Sequence, residues 1–151
     1  MKLVPLLKLT GRVAAPTAVG RSLSGTRTIY AVTGGEFEGE RLRGRILPCG
    51  GEWFLQGDEG PGQVDVRMLL ETDDGAPIYL RYTGVMKLTP DVMETLSQGK
   101  STEYGDFLFL TQARFEAGDE RYEWLNQTIA VGEGRVHPDR VEYMLYEVTH
   151  D

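Results

Sequence analysis

Glycine residues divide this sequence into short segments that favour β-strands. The chain contains 19 glycines in 151 residues, about 13% against a usual value of about 7%. They recur singly or in pairs, and the segments between them are rich in β-branched, aromatic and aliphatic residues. Short strands separated by frequent turn signals are typical of an all-β sandwich or barrel. We therefore expect an all-β fold.

The strand candidates follow one another without a repeat or a linker, so we expect residues 1–151 to form a single domain. They are Leu3–Val13, Thr26–Thr33, Glu40–Leu47, Glu52–Gln56, Val64–Thr72, Ile78–Thr83, Phe107–Phe115, Tyr122–Ala130 and Val141–Val148. One short helix is predicted at about residues 89–99, because Thr89 can cap it, Pro90 suits the first helical position and Gly99 can end it.

Composition and charge exclude several classes of protein. The net charge of −7 disfavours binding to a phosphate backbone, so we expect no nucleic-acid partner. No apolar run approaches the roughly 20 residues of a membrane helix, and Lys8 interrupts the N-terminal apolar run too early for a secretory signal. Cys49 is the only cysteine, which excludes a disulfide framework and suits a reducing cytoplasm. We expect a cytoplasmic protein that does not associate with membranes.

The sequence contains no pattern for a metal or a nucleotide cofactor. Gly34, Gly35 and Gly39 lack the ending of a phosphate-binding loop, and no dinucleotide-binding fingerprint occurs. Neither His137 nor His150 has a neighbouring nucleophile or metal ligand in the sequence. We expect no cofactor and no metal.

A β-hairpin is predicted between the segments Val64–Leu70 and Ile78–Thr83. A three-residue loop with Gly75 in the left-handed conformation is a common way to join two such strands. This register pairs Leu70 with Ile78, Met68 with Leu80, Val66 with Tyr82, and Arg67 with Arg81. One face of the hairpin is then continuously apolar, which favours this register over a two-residue loop.

The other face of the hairpin carries Asp65, Arg67, Tyr79 and Arg81, and two interpretations of it stay open. It is either a solvent-exposed strand pair, or the wall of a barrel mouth where the two guanidinium groups bind an oxyanion. In the second interpretation Asp65 supplies a carboxylate, and Tyr79 supplies a hydroxyl group.

Further pocket residues are suggested by aromatic side chains beside polar ones. Trp124 and Asn126 share one face of a predicted strand, and an aromatic ring next to an amide suits a small-molecule pocket. Trp124 is equally well explained as a core residue. Trp53, next to Glu52, has the same ambiguity. Glu52, Asp65 and Glu36 are the carboxylates considered for acid–base chemistry.

From about Gly20 to Val148 the chain resembles domain-of-unknown-function family 3237. The matching pieces are Thr33-Gly34-Gly35, Phe37-Glu38-Gly39, Gly44, Leu47-Pro48, Asp65, Arg67, Thr72-Asp73-Asp74-Gly75-Ala76, Ile78-Tyr79, Arg114-Phe115-Glu116, Tyr122 and Trp124-Leu125-Asn126. Family members often have Gly-Gly-Ala-Asp-Trp where this chain has Cys49-Gly50-Gly51-Glu52-Trp53. Glu52 keeps that carboxylate but moves it by about one methylene.

The resemblance implies an antiparallel, lipocalin- or calycin-like β-barrel with about eight or nine strands and one short helix. It also implies that Asp65, Arg67, Trp124 and Asn126 belong to the family pattern. This favours the interpretation in which the polar face of the hairpin points inward.

Two functions follow as expectations. The first is a cofactor-free enzyme that performs acid–base chemistry, namely isomerisation, cyclisation or addition and elimination, on a small oxygenated or aromatic molecule that is anionic or phenolic. Asp65 or Glu52 would transfer the proton, while Arg67, Arg81 and Tyr79 would stabilise an oxyanion. Trp53 and Trp124 would wall the pocket, and Asn126 would orient the ligand.

The alternative function is a non-catalytic carrier or sensor of a small ligand. A purely structural subunit, its barrel filled with Leu, Val, Met and Phe, stays open as a third interpretation. A homodimer through an exposed strand edge is also plausible, because incomplete barrels must protect their edges.

Overall fold

The computed structural model describes residues 1–150, and its strands form one antiparallel sheet that closes on itself. The strands are β1 (Lys2–Val13), β2 (Thr17–Ser22), β3 (Gly25–Glu38), β4 (Arg43–Gln56), β5 (Gly62–Thr72), β6 (Pro77–Met86), β7 (Phe109–Ala117), β8 (Ala130–Val136) and β9 (Arg140–Thr149). Helix α1 (Pro90–Ser97) follows β6, and a 3-10 helix (Glu120–Gln127) follows β7.

Eight of the strands form a closed barrel. Their order is β1-β9-β8-β7-β6-β5-β4-β3, and β3 pairs with β1 to complete the ring. The short strand β2 extends the sheet beside the first half of β3. The expected antiparallel β-barrel is therefore confirmed.

Alternation along the strands places apolar side chains inside the barrel. In β7, every second residue from Phe109 to Ala117 is buried, and β5 follows the same period. Leucine, isoleucine, valine, methionine and phenylalanine side chains fill most of the interior. Burial of such side chains is the main favourable contribution to folding.

The β5–β6 hairpin has the register that its sequence predicts. Leu70 pairs with Ile78, Met68 with Leu80, Val66 with Tyr82, and Arg67 with Arg81. The Thr72 N–H donates to the Ala76 carbonyl over 3.0 Å, and Gly75 has a φ of 88°. Helix α1 also begins as predicted, because the Thr89 side chain accepts a hydrogen bond from the Val92 N–H.

The predicted strand Tyr122–Ala130 is wrong, because most of this segment forms the 3-10 helix. Asp119 caps that helix by accepting a hydrogen bond from the Arg121 N–H. Strand β8 follows it and was not predicted, since Gly132 and Gly134 resemble turn residues. Gly134 instead lies against the Phe109 ring, where an added Cβ would stand 2.7 Å from ring atoms.

Two further differences concern β2 and β4. Strand β2 lies on the surface without an apolar face, so its sequence carries no alternation. The predicted strands Glu40–Leu47 and Glu52–Gln56 are parts of one strand, β4, interrupted by a bulge. Ile46 pairs with Leu70, and Gly50 pairs with Met68. An advance of four residues along β4 therefore corresponds to two residues along β5, and the two extra residues of β4 form the bulge.

Within residues 1–150 no helix is long and apolar enough to cross a membrane.

Candidate functional site

A cavity of about 180 Å³ opens at the end of the barrel where β6 leads into α1 and β8 turns into β9. Its wall is mostly apolar, with a few polar groups. The lining residues are Val13, Tyr30, Glu52, Met86, Leu88, Leu96, Phe109, Val136, His137, Pro138, Arg140, Val141 and Tyr143. A mostly apolar cavity with a few converging polar groups is the usual form of a small-molecule site.

Strand pairing directs the side chain of Glu52 into this cavity. Glu52 lies opposite Tyr30 of β3 and opposite Val66 of β5. Because directly opposite residues share one face of a sheet, and Val66 is a core residue, Glu52 also points inward. Glu52 is partly buried and is one of the residues that line the cavity.

The environment of Glu52 raises the pKa of its carboxyl group to about 7. Burial is the larger cause, since an apolar environment disfavours the charged form. The negative charge of Asp65 acts in the same direction. A carboxyl group with this pKa can both give and accept a proton near neutral pH.

Tyrosine hydroxyl groups surround Glu52. Burial, followed by the charge of Glu52, raises the pKa of Tyr30 and of Tyr82. Burial also raises the pKa of Tyr143, whose ring meets that of Tyr82 edge to face at 4.8 Å between centroids. All three hydroxyl groups therefore stay protonated at neutral pH and can donate hydrogen bonds. Tyr30 and Tyr143 line the cavity itself.

The β8–β9 turn contributes the polar residues of the cavity mouth. His137 Nδ1 contacts the Ser101 hydroxyl group, and His137 Nε2 lies 3.2 Å from a carboxylate oxygen of Glu142. Arg140 lines the same mouth and binds Asp139 over 3.0 Å. Leu88 and Leu96 complete the mouth on the side of α1.

Comparison with known proteins shows to which family this chain belongs. The model of the family "Protein of unknown function (DUF3237)" matches residues 1–148. This chain belongs to that family. A UPF0311 protein from Rhodopseudomonas palustris is 31% identical over 93% of this chain and 92% of the relative. Another, from Clostridium acetobutylicum, is 23% identical over 95% of this chain and 92% of the relative.

Solved structures of similar proteins agree with the fold. A β-barrel-like protein from Acinetobacter baumannii has a TM-score of 0.84 at 38% identity and covers 98% of this chain and 96% of its own. A conserved protein of unknown function from Rhodopseudomonas palustris has a TM-score of 0.87 at 28% identity. The match covers 98% of this chain and 97% of that protein. An enzyme from Penicillium herquei shares the fold, with a TM-score of 0.71 at 18% identity. The match covers 95% of this chain and 93% of the enzyme.

The DUF3237 residues of the β5–β6 hairpin lie outside the barrel, so the inward-facing interpretation of their face is wrong. Arg67 and Arg81 have side chains that are 46% and 48% exposed, and Asp65 lies beside them, 3.4 Å from Arg81 Nε. Tyr79 shares this outer face. The apolar face turns inward instead, because burying leucine and valine is favourable, whereas burying two guanidinium groups is costly.

The two tryptophans and Asn126 do not line the cavity either. The Arg67 guanidinium lies 5.2 Å from the ring centre of Trp53 on the outer face, and that of Arg41 lies 3.9 Å from the ring centre of Trp124. The Asn126 amide accepts from the Ala117 N–H and donates to the Ala117 carbonyl, each over 2.8 Å. These bonds attach the 3-10 helix to β7 at the barrel end opposite the cavity.

Of the predicted acid–base residues, Glu52 alone lines the cavity, and Glu36 is exposed and bound to Arg12 over 3.0 Å. Sequence reasoning missed Tyr30, Tyr143 and His137. Tyr30 and Tyr143 lie in predicted strands, but no local pattern shows which strand face is internal. Among residues 1–150, no group of three or more His, Cys, Asp or Glu side chains is placed to hold a metal ion.

Proposed function

We propose that this protein is a cofactor-free enzyme that moves a proton within a small oxygenated organic molecule. The observation that carries the proposal is Glu52, a carboxyl group with a pKa raised to about 7 inside a mostly apolar cavity. Perturbed pKa values of this kind cluster at functional sites, because a general acid or base works best with a pKa near the operating pH.

The neighbouring tyrosines are placed to stabilise the negative charge that such a proton transfer creates on the substrate. When the Glu52 carboxylate removes a proton next to a carbonyl group, or from a phenol, negative charge collects on the substrate oxygen. Tyr30 and Tyr143 would donate hydrogen bonds to that oxygen, since both stay protonated. The Glu52 carboxylic acid then returns the proton to a different atom. This sequence is a redox-neutral isomerisation. If the enolate or phenolate instead adds to an electron-poor double bond of the same molecule, the proton goes to the carbanion that this forms and the product is a ring; elimination is the reverse, with the proton returned to the departing oxygen.

The cavity volume limits the substrate. An apolar protein cavity of about 150 Å³ accommodates benzene, so the volume of about 180 Å³ suits one substituted ring. Phe109 and Val136 supply apolar wall, while Arg140 lies at the mouth. A ring with one oxygen directed toward Glu52 and its tyrosines fits this arrangement.

The test is exchange of substrate hydrogens with solvent. The protein is incubated in D2O with a panel of cyclic ketones and phenols that fit the cavity, and deuterium incorporation is followed by NMR. We expect exchange with at least one compound, and we expect E52Q to slow it by a factor on the order of 10²–10⁴. The matched control is E36Q, which removes an exposed carboxylate and should leave the rate unchanged.

Two outcomes would contradict the proposal. Exchange that E52Q and E36Q affect equally would remove Glu52 from the chemistry. Tight binding of a panel compound with no exchange at any pH from 5 to 9 would favour the carrier or sensor function.

A further inference from the structure

The outer face of the barrel carries a row of arginines across three neighbouring strands. Arg67 of β5 pairs with Arg81 of β6, and Arg81 pairs with Arg114 of β7. Directly opposite residues have Cβ atoms about 4.5–5.5 Å apart, and like charges at this spacing destabilise a sheet. The row is remote from the cavity, because its side chains point away from the interior.

One carboxylate forms ion pairs with this row. Asp65 lies 3.9 Å from Arg67 and 3.4 Å from Arg81, and the Arg67 guanidinium stands over Trp53 rather than over Arg81. Within residues 1–150, Arg114 forms no ion pair and no side-chain hydrogen bond. In the described part of the chain, Asp65 is the one carboxylate that pairs with any of the three arginines, and Glu116, the next outer-face residue of β7, forms no ion pair with Arg114. The row is thus locally basic, although the protein as a whole has a net charge of −7.

Arg81 and Arg114 line a groove of about 430 Å³. The groove exists because β7 and β8 pair only from Leu110 to Ala113 and then separate, so that no strand covers Arg114 on that side. Ile129, whose side chain is exposed, forms an apolar edge.

Several polar groups of the groove are available as hydrogen-bond donors. The Gln112 amide N–H donates to the Thr83 hydroxyl oxygen over 3.3 Å. The Thr83 hydroxyl hydrogen is therefore free to donate into the groove, because its oxygen is already an acceptor. Arg81 uses its Nε–H toward Asp65 and keeps its other N–H groups, while Arg114 keeps all five.

We propose that this groove is a second ligand site, which binds the carboxylate or phosphate group of a small molecule with an apolar portion. The oxyanion lies between the Arg81 and Arg114 guanidinium groups and accepts the Thr83 hydroxyl hydrogen, while the apolar portion rests on Ile129. Paired guanidinium groups recognise planar oxyanions by bidentate, charge-assisted hydrogen bonds. Bound anion also removes the repulsion within the arginine row.

The experiment titrates the full chain with inorganic phosphate and with benzoate, at low ionic strength, by calorimetry and by backbone NMR. We expect saturable binding of both, with shifts at residues 81–83 and 112–114, and tighter binding of benzoate because of its ring. R114Q should weaken both affinities about tenfold or more. The matched control is R45Q, since Arg45 is an exposed outer-face arginine bound to Glu71 over 2.8 Å, and it should retain wild-type affinity.

Urea unfolding of R114Q separates a loss of anion binding from a loss of folded protein. Without added anion, R114Q should unfold at a urea concentration equal to or above that of the wild type, because it removes a like charge. Loss of binding in a variant of this stability supports the site. The proposal is overturned if neither probe saturates, or if R45Q and R114Q weaken binding equally.

Discussion

Glu52 serves the proposed chemistry, but its burial lowers the stability of the barrel when the carboxyl group is charged. Its position opposite Val66 forces the carboxyl group inward, and burial there raises its pKa to about 7. The folded protein thus holds this proton more tightly than the unfolded chain does, whose glutamate has a pKa near 4.5. The contribution of Glu52 to the unfolding free energy therefore falls as pH rises from about 4.5 to about 7.

Replacement of Glu52 by Gln should remove this pH dependence. The two pKa values correspond to a loss of up to about 3 kcal/mol of stability above pH 7. We expect E52Q to be more stable than the wild type at pH 8 and equally stable at pH 4, in urea unfolding at both pH values. E36Q is the control and should show no gain at pH 8. A gain for E52Q that is the same at both pH values would contradict the raised pKa.

At the scale of elements, β8 shows how a small residue shapes the cavity wall. Gly134 lies under the Phe109 ring, and an added Cβ would stand 2.7 Å from its atoms. Phe109 in turn packs edge to face on Tyr143 at 5.1 Å between ring centroids. The glycine therefore sets the positions of two aromatic residues that line the cavity.

Substitution of Gly134 by Ala should be destabilising and should disturb the cavity. We expect a loss of about 1–3 kcal/mol, the usual cost of overpacking a core, measured by urea unfolding, together with NMR shifts at Tyr143. G118A is the matched control, because an added Cβ at Gly118 meets no atom within 4 Å. Equal stability of G134A and the wild type would show that the ring moves aside without cost.

The elements that could be predicted from the sequence are those whose own residues carry a clear turn, capping or alternation pattern. The β5–β6 hairpin combines alternation with a Gly75 turn, and α1 has a capping Thr89 before Pro90, so both could be placed from the sequence. Strand β8 could not, because the need for glycine at Gly134 arises from Phe109, which is distant in the chain. The 3-10 helix depends likewise on the contact between Asn126 and Ala117.

At the scale of the whole molecule, barrel closure decides which residues can act together. The pairing of β1 with β3 completes the ring, and only then do Tyr30 of β3, Glu52 of β4 and Tyr143 of β9 surround one cavity. Alternation along a strand shows that two faces differ but not which one is internal. Residue spacing alone favoured the solvent-facing position of the polar hairpin face, which is where the face lies. The family resemblance favoured the inward-facing position, and that assignment is wrong.

The proposed chemistry requires a Glu52 carboxyl group that stays protonated up to about neutral pH inside the barrel. The most direct test is a pH titration of the Glu52 side-chain carboxyl carbon by ¹³C NMR, with E52Q used to assign the signal. We expect a midpoint near pH 7. A midpoint near the ordinary glutamate pKa of 4.5 would contradict the proposed role of Glu52, since the carboxyl group would then be solvated and would have no special role as an acid or a base.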